Sequence, residues 1–302
     1  MSLRMKLVRL ALYAAPRPFR TEEAVRRTAG RRRSPNVPLA LRRRCRVAVT
    51  SVEGFPVITL TPRRPSGTDL PSGAELMYLH GGAYVFGLRR PHWWIISAII
   101  RRTGATVTVP LYGLAPQHSV AEALPFVNAV RDGIRRRSPG APFFLAGDSA
   151  GGGLALAHLI DRRNRGEALP RAVFLIAPWV DCSMTNPAIE QLQRHDPLLD
   201  LPGLRYAARL WADGLPLDSW RVSPVNDTLE GLPPLLLFQG GSDLLLPDSE
   251  RFAAKASAAG TPVELHVAPD GFHVYVAAAF TPEAAGALDR IADVVKGAAV
   301  KR

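Results

Sequence analysis

Short apolar runs recur along this chain, each followed by a stretch of helical periodicity, and this alternation restricts the fold more than any other feature. Arg46 to Thr50 and Val57 to Leu60 read as two strands joined through Glu53-Gly54. Further strands are expected at Leu76 to Leu79, Thr106 to Val109, Phe143 to Ala146, Val173 to Ala177, Leu235 to Phe238 and Val263 to Val267. Helical patterns occupy 93–102, 119–137, 150–165, 248–259 and 282–297. Apolar strands alternating with amphipathic helices predict an α/β fold: a mostly parallel central sheet with helices on both faces. Residues 181–230 break the rhythm with scattered Pro, Asp and Trp, and read as an insertion forming a partial lid.

The charge is confined to one end. Residues 1–46 hold fourteen of the 38 Lys and Arg residues and two of the 26 acids, which accounts for the whole net charge of +12. Leu3, Leu7, Leu10 and Ala14 recur at helical spacing in this segment, and a second helical pattern lies near 21–29. Arg9 interrupts the apolar stretch, so a secretory leader is a poor reading. A boundary is expected at the Pro-containing stretch Ser34 to Pro38. No zinc-finger or basic-aromatic pattern points to nucleic acid; an anionic membrane surface is the partner such a segment would suit. Two cysteines, Cys45 and Cys182, form neither a disulfide framework nor a metal-binding spacing, which suits a cytoplasmic location and predicts no metal site.

The chemistry centres on Gly147-Asp-Ser149-Ala-Gly151. An apolar strand runs into this G-x-S-x-G and a helix leaves it, the setting of a nucleophile elbow. Small residues two before and two after the serine allow a tight turn that lifts Ser149 above the sheet. His80-Gly81-Gly82 follows the strand Leu76 to Leu79. Backbone N–H groups of Gly81, Gly82 and Ala150 are the expected donors to the oxyanion of an acyl-transfer intermediate. A serine nucleophile needs a histidine base oriented by a carboxylate, in chain order Ser, acid, His. Among the later histidines, His158 sits on the helix after the elbow, His195 in the insertion and His266 inside a strand. His273 alone lies in a loop after a strand, where open α/β sheets carry their sites. Asp243 follows the preceding strand; Asp248 is the alternative, better suited to capping a helix, and Asp270 suits a turn.

These motifs resemble the hormone-sensitive lipase-like branch of the α/β hydrolases across residues 46–302. The resemblance is carried by His80-Gly-Gly-Ala-Tyr84, Tyr112-Gly-Leu-Ala-Pro116, Gly147-Asp-Ser-Ala-Gly-Gly152, Ala177-Pro-Trp-Val-Asp181, Leu246-Pro-Asp248 and Gly271-Phe-His273. It implies an α/β-hydrolase fold and a cofactor-free carboxylesterase acting on small-molecule esters of short to medium chain, or lactones. It also implies a cap made by residues 1–45 with help from 181–230, in which Tyr13 and Phe19 line an acyl pocket. His80 is then expected to hold the glycine loop. The family's Tyr-Arg-Leu-Ala-Pro-Glu stands here as Tyr112-Gly113-Leu-Ala-Pro116-Gln117, so an ion pair of that pattern is missing.

Overall fold

The computed structural model describes residues 2–29, 36–63 and 73–300, the last three as backbone alone. The N-terminal segment forms α1 (Leu3–Tyr13), α2 (Glu22–Thr28) and α3 (Leu39–Arg44). Then come β1 (Cys45–Val52), β2 (Phe55–Pro62), β3 (Glu75–Leu79), α4 (Arg90–Thr103), β4 (Thr106–Pro110), α5 (Val120–Arg137), β5 (Phe143–Asp148), α6 (Ala150–Asn164) and β6 (Val173–Ile176). The 181–230 stretch holds α7 (Ala188–Leu192) and α8 (Leu201–Ala212) and no strand. β7 (Leu235–Gly240), α9 (Leu246–Ala258), β8 (Val263–Ala268) and α10 (Pro282–Val300) complete the chain. Every strand expected from sequence is present. The six-residue α3 is an addition: it buries only Leu41, too little to leave a readable period. Of the expected boundary, Ser34 and Pro35 lie outside the described residues.

The strands form one sheet in the order β1-β2-β4-β3-β5-β6-β7-β8. β1 and β2 make a hairpin whose turn residues Glu53 and Gly54 both have positive φ, at 48° and 78°, which matches the right-handed strand twist. β2 also pairs antiparallel with β4; all later pairings are parallel. β3, β5, β6 and β7 are buried along their whole length and mostly apolar, because both faces are covered. In β3, Leu76 and Tyr78 join the core under α4 and α10, while Met77 and Leu79 join the core under α5, α6 and α9. Period-two alternation sends successive side chains to opposite cores. Parallel connections leave the C-terminal ends of β3, β5, β7 and β8 along one edge. That edge carries the site.

Candidate active site

β5 delivers Ser149 into a strained turn with φ 51° and ψ −123°, and α6 starts at the next residue. The turn fits only because its flanks lack side chains: a Cβ on Gly147 would overlap the Gly151 carbonyl, and one on Gly151 would overlap the Leu79 carbonyl. Ser149 N donates to the Ile176 carbonyl at 2.9 Å, which fixes the elbow against β6.

The loops after β7 and β8 are laced together. Gly241 N donates to Ala268 O and Ser242 N to Gly271 O, each at 2.8 Å. A Cβ on Gly240 would meet the Gly271 and Phe272 carbonyls, so glycine permits this closure. It brings Asp243 and His273 together: Nδ1 of His273 lies 2.9 Å from Asp243 Oδ2, and Nε2 lies 2.9 Å from Ser149 Oγ. An ionised carboxylate only accepts, so Nδ1 carries the proton and Nε2 is free to accept from the serine hydroxyl. Asp243 is held by Leu245 N at 2.9 Å and is fully buried. Burial pushes the His273 pKa down, but Asp243, helped by Asp196 and Asp148, outweighs this and holds it above its ordinary value. Ser149, Asp243 and His273 are thus brought together.

Asp248 is not part of the group. It lies within the first turn of α9, not at the cap position, which is Leu245, and accepts from Asn186 Nδ2 at 2.9 Å. Asp270 has the positive φ of a turn residue, at 57°. His158 is buried on α6 beside three arginines; burial first, then those charges, lower its pKa to about 3. His266 pairs with Glu264 on the exposed side of β8.

The glycine loop differs from expectation at one position. Gly81 N donates to Asp148 Oδ1 at 3.0 Å, so this N–H is committed to a buried carboxylate and is not offered to a ligand. Gly82, with φ 118°, and Ala83 line the cavity beside Ser149 instead. The N–H groups of Gly82, Ala83 and Ala150 donate to no backbone or side-chain acceptor among the described residues. His80 Nδ1 lies 2.8 Å from the Gly81 carbonyl, Tyr112 OH donates to His80 O at 2.6 Å, and the two rings stack at 4.5 Å. Burial and the neighbouring His92 lower the His80 pKa to about 4, so it is a neutral strut for the loop.

Two further acids were not legible as site residues. Asp148, the variable position of G-x-S-x-G, also accepts from Tyr78 OH at 2.6 Å, and His92 Nε2 is 3.4 Å from its Oδ2. Burial opposes its ionisation, yet His92 and these hydrogen bonds prevail and leave its pKa below the ordinary value. Asp196, in the insertion, accepts from Leu198 N, Leu199 N and Leu244 N at 2.8 to 2.9 Å. Burial, with Asp243 nearby, pushes its pKa up to about 6.

Above Ser149 opens a cavity of about 570 Å³. Val8, Leu12 and Phe19 line it from the N-terminal segment, Leu198 and Leu204 from the insertion, and Phe86, Trp94 and Phe272 from the rest of the chain. Phe19 packs edge-on against Phe86, centroids 5.5 Å apart. Tyr13 does not line it; its hydroxyl donates to His195 O at 2.8 Å. Trp93 turns into the core under α4. The departure at Gly113 has a local reason: a Cβ there would overlap His118, whose ring pairs with Glu122 and packs edge-on against Phe55. Among the described residues, no group of three or more His, Cys, Asp or Glu side chains could hold a metal ion. Nor is any helix among them long and apolar enough to cross a membrane.

Sheet order, elbow and serine-histidine-aspartate contact are those of a serine hydrolase built on an α/β sheet. A family model described as the α/β-hydrolase fold matches residues 76–277. The chain is 35% identical over 219 residues to an acetyl-hydrolase of Streptomyces hygroscopicus, covering 70% of each protein. It is 31% identical over 227 residues to an esterase of Acinetobacter venetianus, covering 72% of this chain and 73% of that one. The crystal structure of an esterase from the bacterial hormone-sensitive lipase family superposes with a TM-score of 0.81 over 98% of both chains, at 29% identity. The chain belongs to the α/β-hydrolase-fold family, in its hormone-sensitive lipase-like branch, and is a serine carboxylic-ester hydrolase.

Proposed function

We propose that the chain hydrolyses short- to medium-chain carboxylic esters through an acyl-enzyme on Ser149. The observation that carries this reading is the continuous hydrogen-bonded line Ser149–His273–Asp243. Ser149 Oγ attacks the ester carbonyl carbon while His273 Nε2 takes the hydroxyl proton. The carbonyl oxygen becomes an oxyanion facing the N–H groups of Gly82, Ala83 and Ala150. The bond to the alcohol breaks, and His273 returns the proton to the leaving oxygen. Water then attacks the acyl-enzyme by the same steps in reverse, releasing the acid and restoring Ser149. Asp243 holds a proton on Nδ1 throughout, so Nε2 is the atom that takes and returns the serine proton. The scheme asks for no metal or cofactor, and it opens a lactone in the same way.

The apolar lining and volume of the cavity support a short to medium acyl group, and the acetyl-hydrolase relative points toward the short end. We assign the cap to residues 1–45 together with 181–230, over a catalytic domain of residues 46–302. Its two parts are tied by Arg17 donating to both oxygens of Asp200, at 3.0 and 2.8 Å, and by Gly203 N donating to Phe19 O at 2.9 Å. The free thiols Cys45 and Cys182, both buried, suit a reducing, cytoplasmic setting.

The test is hydrolysis of p-nitrophenyl esters of increasing chain length by the wild type and Ser149→Ala. Loss of ~10⁴-fold or more in kcat in the variant is expected. Equal rates in both would remove Ser149 as nucleophile, and a preference for long acyl chains would overturn the size assignment.

A further inference from the structure

Helix α1 is apolar on two opposite faces. Met5, Val8 and Leu12, spaced i, i+3 and i+7, face inward: Met5 is fully buried, and Val8 and Leu12 pack against the core under α4 and α10. The start of the helix is pinned to α10, since Ser2 Oγ donates to Glu283 Oε2 at 2.8 Å. Leu3, Leu7 and Leu10, spaced i, i+4 and i+7, form the other face and are 72%, 58% and 68% exposed. A helix that only roofs a pocket needs one apolar stripe; the second is held outward by the packing of the first. Phe280 and Trp94, 61% and 53% exposed, line the cavity that reaches Ser149, as do Val8 and Leu12 of α1. Arg4 joins the two parts by donating to Phe280 O at 3.3 Å. Arg4 and Lys6 flank the leucines on α1 and are exposed, as are Arg20, Arg26 and Arg27 elsewhere in the segment that carries the whole net charge.

We propose that the outer face of α1, with Phe280 and Trp94, docks the protein on an anionic lipid bilayer and presents the cavity mouth to it. An eleven-residue helix is about 16 Å long, too short to span a hydrocarbon core of about 30 Å. It therefore lies in the plane of the interface, with leucines among the acyl chains and cations against the headgroups. A second copy of the chain is a poorer occupant, because a two-fold contact through this face would set two strongly basic segments against each other. An ester dissolved in the bilayer would reach Ser149 through the docked mouth.

Cosedimentation of the full chain with vesicles tests this, using phosphatidylcholine alone and phosphatidylcholine mixed with phosphatidylglycerol, at low and high salt. The wild type is expected on the mixed vesicles, with binding reduced but not abolished by salt. The triple variant Leu3→Gln, Leu7→Gln, Leu10→Gln keeps good helix formers on exposed sites. Its partition is expected to fall ~10-fold or more, with hydrolysis of water-soluble p-nitrophenyl acetate unchanged as evidence of an intact fold. If the triple variant loses that activity, single Leu7→Gln replaces it and is expected to bind measurably less than wild type. Three results overturn the proposal: no wild-type binding to mixed vesicles, binding insensitive to the leucine substitutions, or a wild-type dimer that the substitutions convert to monomer.

Discussion

Replacing Asp148 separates two jobs that its carboxylate does at once. Oδ1 accepts from Tyr78 OH and Gly81 N, and Oδ2 faces His92 Nε2. His92 Nδ1 accepts from Arg89 N at 2.7 Å, so the His92 proton sits on Nε2 and points at Asp148. Asp148→Asn can keep Oδ1 and both of its partners, but it turns an NH2 toward the His92 N–H. Moving the His92 proton to Nδ1 only transfers the conflict to Arg89 N. One donor is left unsatisfied either way, at ~1–3 kcal/mol, or a fall of roughly 2–8 °C in Tm. Because Gly81 stays anchored, kcat on p-nitrophenyl butyrate should fall less than ~10-fold. Asp148→Ala removes the anchor of Gly81, and the adjacent Gly82 and Ala83 N–H groups lose their fixed aim at the oxyanion. Misplacing one such donor is worth ~3–4 kcal/mol, so kcat should fall ~10²-fold or more with little change in KM. The assay is steady-state kinetics beside thermal melts of both variants. An alanine variant within ~3-fold of wild-type kcat would refute the reasoning, since the loop would then hold its aim without Asp148.

Three further outcomes are expected. Hydrolysis requires neutral His273, whose pKa lies above the ordinary 6.5, so kcat/KM should fall as pH drops, with its half-maximal point above that value in a pH–rate profile. Asp196→Asn removes a negative charge that raises that pKa, so the acidic limb should move to lower pH; an unmoved limb would show that Asp196 does not act on the base. Gly82→Ala places a Cβ against the Phe86 carbonyl at a φ of 118°, and kcat should fall ~10²–10³-fold while the far-ultraviolet circular dichroism is retained.

Much of this protein was set by sequence alone. Strand and helix positions follow from local periodicity, which needs no knowledge of partners, and the glycines at 147, 151 and 82 mark places where the backbone must pass close to itself. Chain order and position after a strand pointed to Asp243 and His273 rather than Asp248 and His158, and the structure sets those two side chains 2.9 Å apart. What tertiary structure decided are contacts between residues far apart in the chain. Asp148 meets Gly81 across 67 positions, which takes the Gly81 N–H out of the expected oxyanion set. Asp196 reaches Leu244 across 48. The leucine spacing of α1 was visible from the start, but the same pattern serves for a buried or an exposed face. Only packing of Met5, Val8 and Leu12 against the core shows that Leu3, Leu7 and Leu10 point outward, because a helix can bury one side against the protein and must leave the other to whatever lies outside.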